Sequence, residues 1–148
     1  MNRKNLKAII LAAGLSSRMR KFKPLLEVEN TTIIEMTINN YKKLGIDEIL
    51  VVTGFRGHEL EERLAHYNIT FLKNSDYKNT HMFDSVCIGL EKIKGSCDFV
   101  FITPGDSPFV QEYSLKKMME EIKKDDIKLI QPSFQGKNGH PLLLDMAY

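Results

Sequence analysis

The residues of this chain that are best suited to chemistry follow a short apolar run close to the start of the sequence. The small residues Ala12, Ala13 and Gly14 end that run, and the cations Arg18 and Lys23 come after it. Small residues let backbone N–H groups approach a ligand closely, and Arg and Lys side chains bind phosphate oxygens. The segment therefore predicts a site for a polyanion such as a nucleoside triphosphate. The plainer interpretation is a strand and turn with unrelated surface cations.

Spacing excludes two familiar phosphate-binding loops. A dinucleotide fold requires G-x-G-x-x-G after its first strand, and here Gly14 stands alone at that place. A Walker loop requires G-x-x-x-x-G-K-[ST], but Gly136-Lys137 is followed by Asn138. A polyanion site in this chain must therefore be of another kind.

A second candidate is Asp106, which lies in the turn after a predicted strand over Phe99–Thr103. A carboxylate just past a central strand, between Pro104 and Pro108, is well placed to bind Mg²⁺, which prefers oxygen ligands. The alternative is an Asx turn, in which Asp106 hydrogen-bonds to its own backbone.

A third candidate is the turn over residues 136–141, which lies between two late predicted strands. It presents the side chains of Lys137 and His140. The alternative interpretation of this segment is a plain hairpin.

Strand and helix patterns alternate along the chain, and these elements must position the candidate residues. Such alternation predicts an α/β sandwich with a mostly parallel sheet, whose ligands bind at the carboxyl ends of the strands. The predicted strands are the apolar run from Ala8, Glu48–Thr53, Ile69–Leu72, Phe99–Thr103, Lys128–Gln131 and Pro141–Leu144. The first predicted helix is capped by Thr32 and has Ile33, Met36 and Tyr41 on its apolar face, and the second covers Gly57–His66. Two more helices are predicted from apolar residues at helical spacing: Met82, Val86, Leu90 and Ile93 for the third, and Leu115, Met118, Met119 and Ile122 for the fourth.

Composition and charge exclude other classes of function. The 148 residues suffice for one domain with a sizeable core, and a net charge of +2 gives no sign of a nucleic-acid binder. No apolar run is long enough to span a bilayer, so no membrane association is expected. Cys87 and Cys97 form no C-x-x-C pair and are predicted to be reduced, buried thiols. The methionines fall at core spacing, which predicts a packing role.

Taken together, the motifs resemble those of the MobA-like nucleotidyltransferases, which include the molybdenum cofactor cytidylyl- and guanylyltransferases. The resemblance covers nearly the whole chain in the family's order, with L-A-A-G-x-S-x-R-M from Leu11, K-P-L-L from Lys23, G-D-x-P from Gly105 and G-H-P from Gly139. Because Ala13 stands in place of a second glycine, the first motif resembles that of the cytidylyltransferases more than that of the guanylyltransferases. The resemblance implies a three-layer α/β/α sandwich with a mostly parallel, Rossmann-like sheet of the nucleotide-diphospho-sugar transferase type.

The same resemblance implies roles for individual residues. Arg18 and Lys23 would hold the triphosphate and stabilise the charge of the leaving pyrophosphate, and Asp106 would hold Mg²⁺. His140 would lie beside the acceptor. Contact with the nucleotide or the acceptor is implied for Leu11, Ala12, Ala13, Gly14, Ser16, Asn74, Ser85, Gly105 and His140.

The implied activity is Mg²⁺-dependent transfer of CMP, or another nucleoside monophosphate, from CTP or another triphosphate to a phosphorylated acceptor. Pyrophosphate is released, and the expected acceptor is molybdopterin. The resemblance also implies a cytoplasmic location and a molybdenum hydroxylase as a partner protein. Two alternatives remain open: a nucleotidyltransferase for a sugar or alcohol phosphate, and a non-catalytic carrier of a nucleotide or cofactor.

The chain departs from the family pattern at several places. Arg20 stands where the family usually has Gly after R-M, and His81 replaces the glycine before Met82. Family members usually carry a second metal-binding aspartate in a C-terminal segment. Residues 1–148 are therefore expected to form a single nucleotidyltransferase domain that lacks this segment.

Overall fold

A six-stranded sheet with helices on both faces forms the centre of the protein. A computed structural model describes residues 5–14, 22–124, 126–134 and 136–147. The strands are β1 (Leu6–Ala12), β2 (Glu27–Val28), β3 (Thr31–Thr32), β4 (Ile49–Thr53), β5 (Ile69–Lys73), β6 (Phe99–Pro104), β7 (Leu129–Ile130), β8 (Ser133–Phe134), β9 (Lys137–Asn138) and β10 (Leu142–Asp145). The helices are α1 (Ile33–Lys42), α2 (Gly57–Arg63), α3 (Met82–Ile93) and α4 (Glu112–Glu121), with a 3₁₀ turn over Lys23–Leu25.

The sheet has the strand order β5-β4-β1-β6-β10-β7, and its first four strands are parallel. β10 lies antiparallel between β6 and β7, so the sheet is mixed but mostly parallel, as expected. β1 is central, with β4 on one side and β6 on the other. From β1 the chain builds the sheet outward through β4 and β5 on one side, and it then crosses over to form β6 on the other side. In open α/β sheets, ligands bind in the crevice at such a reversal of the strand order.

The two faces of β1 belong to two different layers of the core. Ala8 and Ile10 pack with α1, α2 and α4, whereas Ile9 and Leu11 pack with α3. A strand that is buried on both faces needs apolar residues at every position, which explains the continuous apolar run in the sequence. The expected three-layer sandwich is confirmed. None of the helices in the described parts of the chain is long and apolar enough to cross a membrane.

The expected apolar face of α1 is correct at Tyr41 and wrong at Ile33 and Met36. Ile34, Ile38 and Tyr41 are buried in the core, whereas Ile33 and Met36 are only half-buried. The spacing of 34, 38 and 41 is the ordinary helical one. Because residues 33 and 34 are both apolar, local spacing alone does not distinguish the two neighbouring faces, and packing against the sheet selects the one with Ile34.

Three further side chains are less buried than predicted. Met82 is 53% exposed because the first turn of α3 lies at the rim of a cavity rather than over the sheet. Cys87 is exposed, since α3 packs on the sheet through its other side, and Cys97 is half-buried. Burial raises the pKa of the Cys97 thiol.

A glycine allows α3 to lie close against β1. A Cβ atom at Gly89 would lie 2.8 Å from Cδ1 and 2.9 Å from Cγ2 of Ile9. These distances are shorter than van der Waals contact, so any larger residue would push the helix away from the strand. The close packing fixes the N-terminal turn of α3 relative to the end of β1.

The start of α1 is fixed by a reciprocal cap. The Thr32 hydroxyl accepts a hydrogen bond from the Glu35 N–H at 3.3 Å and donates one to Glu35 Oε1 at 2.8 Å. Arg63 Nε donates to the same carboxylate oxygen at 2.8 Å, so Glu35 also joins α1 to α2. Burial by itself raises the pKa of the Glu35 carboxyl, but the hydrogen bonds from Arg63 and Thr32 outweigh it, and the pKa lies below its ordinary value.

We expect Glu35→Gln to lower the free energy of unfolding at pH 7 by about 1–3 kcal/mol, because it breaks hydrogen bonds to a charged, nearly buried group. A carboxyl whose pKa is lower in the folded state adds stability above its unfolded pKa, and this stability is lost as the pH falls through the folded pKa. The difference from the native protein should therefore shrink below about pH 4. Urea unfolding at pH 7 and near pH 3.5 measures the difference in the free energy of unfolding, and Glu62→Gln, which changes an exposed carboxylate, is the control. A difference that is the same at both pH values would contradict the assignment.

Candidate active site

A cavity of about 240 Å³ opens at the carboxyl edge of the sheet, at the ends of β1 and β6. Three parts of the chain enclose it: the end of β1 with the 3₁₀ turn, the turn after β6, and the connection between β5 and α3. The lining residues are Leu11, Ala12, Ala13, Gly14, Lys23, Pro24, Asn74, Tyr77, Thr80, His81, Met82, Ser85, Pro104, Gly105 and Asp106.

Most of the residues implied as site residues by the sequence therefore lie around one cavity, although they are spread over almost a hundred positions. Ser16 and Arg18 lie outside the described residues. The residues that meet at the cavity are Leu11, Ala12, Ala13, Gly14, Lys23, Asn74, Ser85, Gly105 and Asp106.

His140 does not line the cavity. Within the turn over residues 136–141, β9 pairs antiparallel with the preceding β8, and His140 follows β9 as an exposed residue. β10 begins two residues later, where Leu142 pairs with Ile102 of β6. His140 thus lies at the same edge of the sheet as the cavity, but outside its wall.

The turn after β6 is held directly against the end of β1. The Gly105 N–H donates a hydrogen bond to the Leu11 carbonyl at 2.8 Å. A Cβ atom on Gly105 would lie 3.2 Å from that same oxygen, so the glycine permits the close approach. On the other side of the turn, the Asn40 amide donates to the Pro108 carbonyl at 2.9 Å. The turn that carries Asp106 is therefore anchored at both ends.

Lys23 and Asp106 face each other at the cavity. The Lys23 Nζ atom lies 3.9 Å from Asp106 Oδ2, and the two side chains are 38% and 41% exposed. An ion pair this long and this exposed adds little stability, so both charged groups are available to a ligand. Within the described residues, the Asp106 carboxylate makes no hydrogen bond to its own turn, contrary to the Asx-turn alternative.

Three aromatic rings pack in a row that ends in the cavity wall at Tyr77. Phe22, directly before Lys23, packs edge-on against Phe55 with ring centres 5.7 Å apart, and Phe55 packs against Tyr77 at 6.2 Å. The Arg56 guanidinium lies over the Phe22 ring at 5.3 Å and is held by the Glu59 carboxylate. Phe55, in the loop after β4, thus connects Phe22, the residue before Lys23, with Tyr77 in the cavity wall.

Tyr77 and Thr80 are cavity residues that the sequence interpretation missed. Both lie in the loop between β5 and α3, next to Asn74, which the motif did indicate. The position of this loop after a parallel strand was an available signal, because all such loops in an α/β sheet emerge at the carboxyl edge.

The metal-binding capacity of the cavity is limited to one carboxylate in the part of the chain that is described. Among those residues, no group of three or more His, Cys, Asp or Glu side chains could hold a metal ion. Mg²⁺ commonly binds through one or two carboxylates together with substrate phosphates and water. Asp106 therefore fits a Mg²⁺ ion that is bound chiefly by a nucleotide, and does not fit a site made wholly of protein ligands.

The comparisons with known proteins agree with this arrangement. The MobA-like NTP transferase domain model matches residues 8–148. The chain belongs to this family. It is thus a member of the nucleotidyltransferases, and residues 8–148 contain every described cavity residue.

The relatives of this MobA-like chain include molybdenum cofactor transferases and bifunctional GlmU proteins. The Escherichia coli molybdenum cofactor cytidylyltransferase is 36% identical over 92% of this chain and 68% of its own length. A probable molybdenum cofactor guanylyltransferase of Natranaerobius thermophilus is 32% identical over 89% of this chain and 62% of its own length. The bifunctional protein GlmU of a Hydrogenobaculum species is 32% identical, but the match covers 76% of this chain and only 25% of that protein.

The fold is also found in solved structures. A nucleotidyl transferase from Methanothermobacter thermautotroptrophicus superposes with a TM-score of 0.83 at 25% identity, over 97% of this chain and 72% of that one. The expected nucleotidyltransferase fold is therefore confirmed.

We expect Gly54→Ala to destabilise the MobA-like domain by about 1–3 kcal/mol, as overpacking does. A Cβ atom at Gly54 would lie 2.7 Å from Tyr77 Cβ and 2.9 Å from the Ala13 carbonyl, and neither atom can rotate away. Urea unfolding measures the change. Gly139→Ala is the control, because a Cβ there meets only the Pro132 carbonyl, at an ordinary 3.7 Å. Equal stability of the two variants would contradict the tight packing.

Proposed function

We propose that this chain transfers CMP from CTP to a phosphorylated acceptor and releases pyrophosphate, with Mg²⁺ bound to the triphosphate. The observation that carries the proposal is the meeting of Lys23 and Asp106, 3.9 Å apart, beside the backbone of Ala13 and Gly14. A cation, a carboxylate and accessible small residues are the groups that a magnesium triphosphate requires. The similarity to the E. coli cytidylyltransferase supports CTP as the nucleotide.

The triphosphate would lie along the charged side of the cavity. Lys23 donates to phosphate oxygens, and Arg18, which follows Gly14 closely in the sequence, is proposed as the second phosphate-binding cation. The nucleobase would lie toward the side that carries Asn74 and Ser85, which are uncharged and almost fully buried. This orientation separates the anionic part of the nucleotide from the neutral part.

Asp106 would hold the Mg²⁺ ion through its carboxylate. When bound, the ion would neutralise part of the triphosphate charge and hold its oxygens in one orientation. The anchored turn after β6 places the Asp106 carboxylate at the carboxyl edge and, through the hydrogen bond of Gly105 to Leu11, keeps it beside the end of β1.

The chemistry needs no nucleophile from the protein. An oxygen of the acceptor phosphate forms a bond to the α-phosphorus of CTP, and the bond from that phosphorus to the bridging oxygen of the β-phosphate breaks. Pyrophosphate leaves with the electron pair. Lys23 and Arg18 would stabilise the negative charge that grows on the leaving group, so that catalysis consists of positioning and charge stabilisation.

We propose molybdopterin as the acceptor, on the basis of the two molybdenum cofactor transferases among the relatives. His140 lies at the same edge of the sheet but outside the cavity wall, and its proposed role is contact with an acceptor that extends beyond the nucleotide. A molybdenum hydroxylase that receives the product and a cytoplasmic location remain predictions from the family resemblance. A sugar or alcohol phosphate remains the second candidate acceptor.

Calorimetry and a pyrophosphate-release assay test the proposed function. With Mg²⁺ present, CTP should bind more tightly than GTP or ATP, and pyrophosphate should form only when an acceptor phosphate is added. Release with molybdopterin but not with a panel of sugar and alcohol phosphates supports the proposal. Tenfold tighter binding of GTP than of CTP would overturn the choice of base, and CTP binding without turnover on any acceptor would favour the carrier alternative.

We expect Lys23→Ala and Arg18→Ala each to weaken CTP binding by about 1.5–3 kcal/mol, because each removes a charge-assisted hydrogen bond to phosphate. Lys92→Ala is the matched control, since Lys92 is an exposed cation in the last turn of α3, away from the cavity. Calorimetry with CTP and Mg²⁺ measures all three variants. If both site variants bind CTP like the control, these residues are ordinary surface cations.

Asp106→Asn should abolish the dependence of CTP binding on Mg²⁺ while the thermal midpoint changes little. The amide keeps the shape of the side chain but removes the charge that attracts the ion, and the exposed pair with Lys23 contributes little to stability. Titration of CTP with and without Mg²⁺, together with thermal unfolding, measures both effects. A folded variant whose CTP binding still requires Mg²⁺ would show that Asp106 has no metal role, and so would an unfolded variant together with an Asp106 carboxylate seen to cap its own turn.

A further inference from the structure

The neutral wall of the cavity contains a hydrogen-bond network centred on Asn74. This side chain is 4% exposed, and its backbone N–H donates to the Thr53 carbonyl of β4 at 2.7 Å. Its amide nitrogen donates to Thr80 Oγ1 at 2.9 Å and to Ser85 Oγ at 3.1 Å. An amide nitrogen has two N–H groups. Both are therefore used within the protein.

The orientation of the Asn74 amide is fixed by its neighbours. Its oxygen accepts a hydrogen bond from the Asp76 N–H at 3.1 Å. In the flipped orientation, two donors would face each other at that place, which excludes it. The Thr80 hydroxyl gives its own proton to the Asp76 carbonyl at 2.9 Å, so it can only accept from Asn74.

The same network decides what the Ser85 hydroxyl can do. Ser85 is 4% exposed and lines the cavity, and its oxygen accepts a hydrogen bond from Asn74. No described residue accepts the Ser85 proton. A hydroxyl that accepts on its protein side is free to donate on its other side. The wall therefore presents a hydrogen-bond donor to a ligand at this position.

We propose that Asn74 is a positioning residue, which does not bind the nucleotide itself but fixes the Ser85 hydroxyl as a donor into the cavity. The proposal rests on the proposed nucleotidyltransferase function, and it changes the direct nucleotide contact that the family motif implies for Asn74. It also gives a physical reason for base selection. The Watson–Crick edge of cytosine offers two acceptors, O2 and N3, beside the donor N4–H₂. That of guanine offers two donors, N1–H and N2–H₂, beside the single acceptor O6, so a hydroxyl donor in the wall is the better match to cytosine.

Asn74→Asp tests the proposal, because it keeps the shape of the side chain and reverses its hydrogen bonding. A carboxylate would accept the Ser85 proton, so the hydroxyl would present an acceptor to the cavity. CTP binding should weaken about tenfold, as expected for one mispaired buried hydrogen bond. The ratio of CTP to GTP affinity should fall with it. The added charge alone would weaken both nucleotides equally and leave that ratio unchanged.

Two further sets of variants separate this effect from other causes. Asn79→Asp makes the same chemical change on an exposed residue of the same loop, whose amide contacts Asp76 and not Ser85. It should leave the affinity ratio unchanged. Ser85→Ala should lower the ratio, and in that background Asn74→Asp should lower it no further, because the two residues act as one unit.

The outcomes distinguish the proposal from the function on which it rests. If the unmodified chain binds neither CTP nor GTP with Mg²⁺, the proposed function is wrong and the inference falls with it. If the chain binds CTP but Asn74→Asp keeps the affinity ratio, or still lowers it in the Ser85→Ala background, the inference alone is wrong. Should Asn74→Asp fail to fold, a crystal structure of the native chain with CTP decides. The Asn74 amide should keep Thr80 and Ser85 as partners, and a direct hydrogen bond from it to the nucleotide would overturn the proposal.

Discussion

The parallel pairing of β1 with β6 determines where the cavity groups that follow these two strands lie. The register joins Leu6 to Phe99 at one end and Leu11 to Pro104 at the other. The N–H of Gly105 donates to the Leu11 carbonyl at 2.8 Å and so continues the ladder past Pro104 to the start of the next turn. The two strands therefore end together, and the residues after them emerge side by side. A slip of one residue would move Asp106 by about 3.3 Å along the edge and reverse the faces of the strand.

Burial enforces this register. Alternate residues of β1 belong to the two different layers of the core, and the neighbouring residues of β6, such as Phe101 and Ile102, do the same. Because both faces are covered by helices, any slip would expose one apolar set and misplace the other. The position of the cavity edge is thus a consequence of core packing. The site needs no stabilising interaction of its own to hold β1 and β6 in line.

The two sides of the cavity are built on different physical principles. On the charged side, Lys23 and Asp106 are partly exposed and only weakly paired, so their interactions are left for a ligand. On the neutral side, Asn74 is buried and its amide donors are fully used, so its geometry is already set before any ligand arrives. The two sides are joined by Phe55 in the loop after β4, whose ring packs against Phe22, the residue before Lys23, and against Tyr77. A rigid neutral wall and an accessible charged one together suit a ligand with a flat base and a mobile anionic tail.

The fold class, the order of the elements and most of the residues around the cavity were predictable from the order of the amino acids alone. Short apolar runs rich in branched residues indicated strands buried on both faces. Several motif residues, such as Gly14 and Asp106, follow directly after those runs, at the edge where an α/β sheet binds its ligands. The details that depend on neighbours distant in the sequence became visible only in the folded protein. Local spacing could not show that Met82 lies at the cavity rim or that His140 lies outside its wall. Nor could it show that the Asn74 amide donates its hydrogen bonds to Thr80 and Ser85, because the partners of a buried amide depend on which groups the fold brings within about 3 Å.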